Sequence, residues 1–194
     1  MGGTSLINTI NDQGHLRDEE LAPAVAVVMF GAIETSEGMT ANVLWHLMNR
    51  PALLDRVCKD RSLVAAAIEE SLRLEPAAAV IDRYTTADVS IGEVVIPADE
   101  LVTLSLLSAN RDPLVFPEPD DFDLSRSNLR AHITFVQGPH ACIGVHLARA
   151  ETVAAVNAVL DMCPHLEMNT ASTTAPAGLI FRKPAMVTGR WEAR

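Results

Sequence analysis

Residues 135–151 read FVQGPHACIGVHLARAE, and the fold is decided there. Gly138 and Pro139 make a tight turn. Cys142 follows at the start of an amphipathic stretch, which predicts a long helix from about residue 142 to 160. A thiol at a helix start meets unpaired backbone N–H groups and the positive end of the helix dipole, and both favour the thiolate. Gly144 has no side chain, so a flat object can approach the backbone beside the sulfur. Such a thiolate can ligate a metal, act as a nucleophile or serve as a redox thiol. A cysteine can also be a small packing residue, and Cys58 and Cys163 read that way. A hydrolase using Cys142 and His140 is disfavoured, because the two stand at i, i+2 in a tight loop with no orienting partner evident.

Working outward, residues 1–16 are polar and read as a ragged entry. Asp18 can cap a helix with Glu19 and Glu20 in its first turn, and an apolar pattern then runs nearly to Arg50. This predicts one helix over about 18–50, roughly 45 Å long. It is apolar on most sides early on, which predicts a central, buried position. A short helix is expected after Pro51, and another over about 62–74, with Val64, Ile68 and Leu72 on one face. From about 80 to 107 the pattern alternates in Val, Ile and Thr and predicts three or four short strands. Residues 110–139 are dense in Pro, Asp and Arg, and an irregular stretch of that length in a compact domain is usually functional. Weak strand signals recur near Leu166, 179–181 and 186–187.

Composition sets outer limits. The chain has 194 residues, enough for one domain or part of a larger one. Its 48% apolar content supports a core, and with 4% aromatics that core is mostly aliphatic. A net charge of −10 argues against nucleic acid or an anionic membrane as partner. The longest apolar run, 21–33, is too short for a bilayer, and no signal peptide is evident. Three cysteines without regular spacing are not a disulfide framework and fit a reducing, cytoplasmic compartment.

Phe135, Gly138, Cys142 and Gly144 resemble the haem-binding signature of the cytochrome P450 (haem-thiolate monooxygenase) family, with His140 where the family carries Arg or His. Val136 departs from the family's usual Gly. GAIETS, residues 31–36, resembles the acid–alcohol pair of the oxygen-activating helix, with Ala32 in place of the usual Gly. Glu70 and Arg73 match the ExxR motif and are followed by the expected Pro76. Residues 108–126, SANRDPLVFPEPDDFDLSR, resemble the family's bacterial loop. Asp121 precedes Phe122 where a basic residue often completes the ExxR network, and Arg126 is the candidate substitute. Asp99 stands where a turn usually has Gly. The motifs keep their order from about Thr4 to Trp191.

The resemblance implies a mainly α (α+β) architecture, the C-terminal half of the cytochrome P450 fold. It places the oxygen-activating helix at about 18–50, the ExxR helix at 62–74, a β region at 80–107, the meander and cysteine loop at 110–141, and a final helix at 142–160. It implies haem as cofactor, Cys142 as the iron's thiolate ligand, and His140 and Arg83 as partners of the haem carboxylates. Glu34 and Thr35 are implied to manage protons and dioxygen, and Glu70 with Arg73 to lock the loop. The implied activity is insertion of one oxygen atom of dioxygen into an apolar small molecule, with electrons from a ferredoxin- or flavodoxin-like donor. Arg149 and Arg130 are candidates for docking that donor, and Gly31, 77–81 and 179–180 for touching substrate. The family's usual chain is about twice as long, so the expectation is a truncated monooxygenase, with two alternatives: a non-catalytic haem-binding remnant, or one part of a split protein.

Overall fold

A computed structural model describes residues 17–192. The chain divides into two compact units, Met1–Glu34 and Thr35–Arg194. Helix α1, Asp18–Met48, begins in the first and ends in the second. The cap of α1 differs from expectation. The residue ahead of the helix is Arg17, whose backbone N–H donates to Glu20 at 2.9 Å, so the carboxylate in the first turn caps the end.

The described part of the first unit corrects the expectation of burial. Val27, Phe30 and Ile33 are all largely exposed. By length and composition alone, Glu19–Met48 could cross a bilayer. The later turns of α1 pack in a core: Met39, Val43 and Leu47 are buried.

Those residues begin the core of the second unit. Helix α2 (Pro51–Lys59) contributes Leu54 and Val57, and helix α3 (Leu63–Leu74) contributes Val64, Ile68 and Leu72 at four-residue spacing. Helix α5 (Val145–Met162) packs on α3 and adds Val156 and Leu160. Burying each such side chain is worth about 1.5–3 kcal/mol.

The β region forms two separate antiparallel pairs. Strand β1 (Val80–Tyr84) pairs with β4 (Leu101–Ser105), Asp82 opposite Thr103. Strand β2 (Val89–Ile91) pairs with β3 (Val94–Ile96) around Gly92. Asp99 takes φ 64°, and its N–H donates to the Thr85 carbonyl at 2.8 Å, so the Asp-for-Gly turn keeps its left-handed form. One helical turn, α4 (Leu106–Ala109), leads into the irregular stretch. The tail differs from expectation. Its paired strands are β5 (Glu167–Met168) and β6 (Gly189–Arg190), while 179–181 contributes a single bridge, Ala78 to Phe181.

His46, on the buried face of α1, accepts a hydrogen bond from Arg50 at Nδ1 (3.1 Å) and lies 4.7 Å from the Phe122 ring. Its Nε2 and the Oδ1 of Asn42, one turn earlier, are buried without a hydrogen-bond partner among the described residues. Burial, then the positive charges of Arg50, Arg111 and Arg73, push the imidazole pKa from 6.5 down to about 3. A depressed folded-state value means that the unfolded chain takes up the proton first as pH falls. The contribution of His46 to stability is therefore fully present above pH 6.5 and is lost as pH falls toward 3. Urea unfolding between pH 6.5 and 4.5 should show a loss approaching about 1.4 kcal/mol per pH unit, and His46→Phe should flatten that slope. An unchanged slope in the variant would exclude His46 as its source.

Candidate functional site

A buried ion pair organises the loops around the cysteine. The side chains of Glu70 and Arg73, one turn apart on α3, are both 0% exposed. Arg73 grips the carboxylate in a fork, Nε to Oε2 and Nη2 to Oε1, both at 2.8 Å. Its remaining N–H groups donate to the carbonyls of Asn110 (3.1 Å), Pro119 (2.6 Å) and Asp121 (2.9 Å). Glu70 also accepts from the Asp123 N–H at 3.0 Å and from Arg126 Nε at 2.8 Å. Arg126 thus occupies the third place in the network, and Asp121 takes part through its carbonyl. Burial raises the Glu70 pKa, but the donors from Arg73, Asp123 and Arg126 more than offset this and hold the carboxyl below its ordinary range.

The same helix reaches the cysteine loop. Thr134 Oγ1 donates to the Leu72 carbonyl at 2.8 Å and accepts from Asn110 Nδ2 at 2.9 Å. Asn110 Oδ1 accepts from the Ile133 N–H at 2.8 Å. Phe135 packs against the core, and its carbonyl accepts the Cys142 N–H at 2.9 Å. Between them, residues Gly138–His140 form one turn of 3-10 helix.

Cys142 is exposed and stands three residues ahead of α5, which corrects the expected helix start. The cause is local: its N–H is committed to Phe135, and regular helix begins only after Gly144. A Cβ on Gly144 would lie 3.9 Å from the cysteine Sγ, so glycine keeps that side of the sulfur open. Gly138 takes φ +78°, a conformation glycine adopts freely. Ile143 and Leu147 leave an exposed apolar flank beside the thiol. His140 is exposed at the end of its short turn. Arg83 is half-buried on β1 and donates to the Asp82 carbonyl at 2.7 Å. Glu34 and Thr35 are half-buried on an unbroken α1, and they fall in different compact units.

One expectation is revised, that Cys58 and Cys163 are packing residues, and a cluster around Arg149 is new. Arg149, expected at a docking surface, donates to both oxygens of Glu69, at 2.6 and 2.8 Å. Cys58 is exposed and Cys163 half-buried, and both line a groove of about 700 Å³ rather than packing in the core. The Glu69–His132–Arg149 cluster had no sequence signal, because its members lie 63 and 80 positions apart.

The profile of the family described as "Cytochrome P450" matches residues 4–176. The chain belongs to the cytochrome P450 family. It is 36% identical over 187 residues to Cytochrome P450 107B1 of Saccharopolyspora erythraea, covering 96% of this chain and 45% of that protein. It is 33% identical over 188 residues to the cytochrome P450 monooxygenase PikC of Streptomyces venezuelae, covering 96% and 44%. The crystal structure of P450BioI, in complex with an acyl carrier protein ligated with hexadec-9Z-enoic acid, matches with a TM-score of 0.91 and 30% identity, over 98% of this chain and 49% of that one. The chain therefore spans about half the length of the cytochrome P450 relatives it matches. The family is one of monooxygenases and implies a haem cofactor.

Two outcomes test this geometry. Arg73→Ala leaves Glu70 buried with one of its two cations and frees three carbonyls, and should cost about 3–5 kcal/mol. A urea midpoint close to wild type would show that the pair is not structural. Val136 takes φ 60°, strained for a β-branched residue. Val136→Gly should raise stability by about 1 kcal/mol and lift the melting temperature by a few degrees. A lower melting temperature would show that the valine's packing outweighs the strain.

Proposed function

We propose that this chain carries the haem-thiolate site of a bacterial monooxygenase that inserts an oxygen atom into an apolar small molecule. The observation that carries the reading is the setting of Cys142: an exposed sulfur in a turn fixed by Phe135, with glycine keeping one side open, in a member of this family. A soft thiolate suits iron, the exposed Ile143 and Leu147 suit the apolar face of a macrocycle, and Arg83 offers a cation and His140 a ring N–H for its carboxylates. The residues present therefore fit haem.

When bound, thiolate-ligated haem supplies activation of dioxygen. Cys142 would hold the iron through its thiolate. Arg83, by ion pairing, and His140, by a ring N–H, would bind its carboxylates and orient the group. Thr35, through its hydroxyl, and Glu34, through its carboxylate, hold and pass protons in this reading. Glu70, Arg73 and Arg126 touch no reactant and fix the loops. Electrons come from a ferredoxin- or flavodoxin-like partner, and the location is the cytoplasm, in keeping with three free cysteines.

One observation favours haem binding without turnover instead. Large apolar side chains stand exposed in each unit, Phe30 and Ile33 in the first, Leu179 and Ile180 in the second. Such surface ordinarily has a covering. Oxygen consumption driven by a supplied reductant separates the two readings.

The ferrous–CO spectrum of the purified, haem-supplied chain is the direct test. The expected result is the red-shifted Soret band of a thiolate ligand, lost in Cys142→Ala. If the band survives that substitution, the ligand assignment is wrong; if wild type takes up no haem, the reading fails for this chain.

A further inference from the structure

Glu69 is buried beside Glu70 but has partners of its own. Its Oε1 accepts from Arg149 Nε at 2.6 Å, and its Oε2 from Arg149 Nη2 at 2.8 Å. Oε2 also lies 3.0 Å from His132 Nε2. His132 is buried, and its Nδ1 accepts the Thr134 N–H at 3.3 Å, which assigns the ring proton to Nε2 and aims it at Glu69. Burial raises the Glu69 pKa, and the donors from His132 and Arg149 more than offset it, bringing the carboxyl to about 2. The carboxylate is therefore charged and fully engaged at neutral pH.

These contacts converge on one ring. The Arg149 guanidinium lies over Phe135 at 4.7 Å from its centroid, and the His132 ring is 6.2 Å away. Phe135 supplies the carbonyl that accepts the Cys142 N–H at 2.9 Å. The only other backbone hydrogen bond at Cys142 among the described residues, from the Val145 N–H to its carbonyl, is long at 3.4 Å. An exposed turn held by one good hydrogen bond opens readily unless the acceptor is itself immobilised.

We propose that Glu69, Arg149 and His132 form a second ion-paired brace, separate from Glu70–Arg73, that positions Cys142 by immobilising Phe135. His132 grips the chain before the cysteine and Arg149 the chain after it, and both are tied to the same residue of α3. The three are positioning residues. Their consequence for an iron ligand rests on the haem-thiolate reading above, whereas the brace itself does not.

The first test therefore needs no haem. Amide hydrogen exchange is measured on the full chain for wild type, Glu69→Gln, which keeps shape but removes charge, and Arg149→Lys, which keeps charge but removes the fork and the stacking. Both variants should raise exchange at Cys142 at least tenfold while the Leu72 and Val156 amides hold their wild-type rates. Unchanged exchange at Cys142 overturns the brace. An equal rise at all three sites also overturns it, since that is general destabilisation. If Glu69→Gln does not fold, Arg149→Lys carries the same measurement, its side chain being only partly buried. The second test uses the haem-supplied chain: both variants should shift part of the ferrous–CO absorbance out of the red-shifted band, and a band identical to wild type counts against the brace. Should wild type itself show no such band, the haem reading fails while the exchange result still decides the brace.

Discussion

Placing a carboxylate and a guanidinium where neither keeps any exposed surface is costly unless every donor and acceptor is satisfied. In this protein the cost is met by the chain around Glu70 and Arg73. Once Arg73 has forked onto Glu70, its other N–H groups demand carbonyls, and the irregular stretch supplies three, from Asn110, Pro119 and Asp121. Arg126 then adds a second cation to the carboxylate and closes the loop on itself by donating to the Pro117, Glu118 and Asp121 carbonyls. A segment with almost no regular structure is thereby held by side chains in place of a ladder. This explains how a stretch so rich in Pro and Asp can serve as a rigid support.

The cysteine loop inherits that support. Asn110 lends its backbone carbonyl to Arg73 and its side chain to Ile133 and Thr134, so the meander and the cysteine loop share one anchor. Thr134 ties the same loop back to α3 through the Leu72 carbonyl. Cys142 can then be exposed while its backbone is fixed. Val136 in the left-handed region shows that the turn is imposed from outside, since a valine would not choose it.

The exposed apolar side chains place the haem-thiolate reading in proportion. Matching relatives are about twice as long, and the chain resembles them over nearly all of its own length. Ile143, Leu147, Leu179 and Ile180 are apolar at surface positions, a pattern that suits a surface meant to be covered by cofactor, substrate or polypeptide. The second unit nonetheless has its own core, from Met39 to Leu160, and its own buried ion pairs.

Much of this was legible in the residues alone. The four-residue spacing of Val64, Ile68 and Leu72 located α3 and its buried face, and alternation located the β region, because these patterns are local. The cysteine motif, the ExxR pair and the substitution of Arg126 for a missing cation were legible for a related reason: chemistry that needs one residue type at one spacing leaves a trace in the chain. The early turns of α1, read as buried, are largely exposed at Val27, Phe30 and Ile33, since apolar content alone does not decide burial. Helix α5 begins later than its pattern suggests, because the Cys142 N–H is captured by Phe135. The cluster of Glu69, His132 and Arg149 was invisible, as contacts across 63 and 80 residues have no periodicity to read. The sequence by itself determined the element types, the candidate ligand and the family resemblance. Only the tertiary structure decided which charges pair, which cysteines are exposed and what holds Cys142, because those depend on distances that folding alone brings within reach.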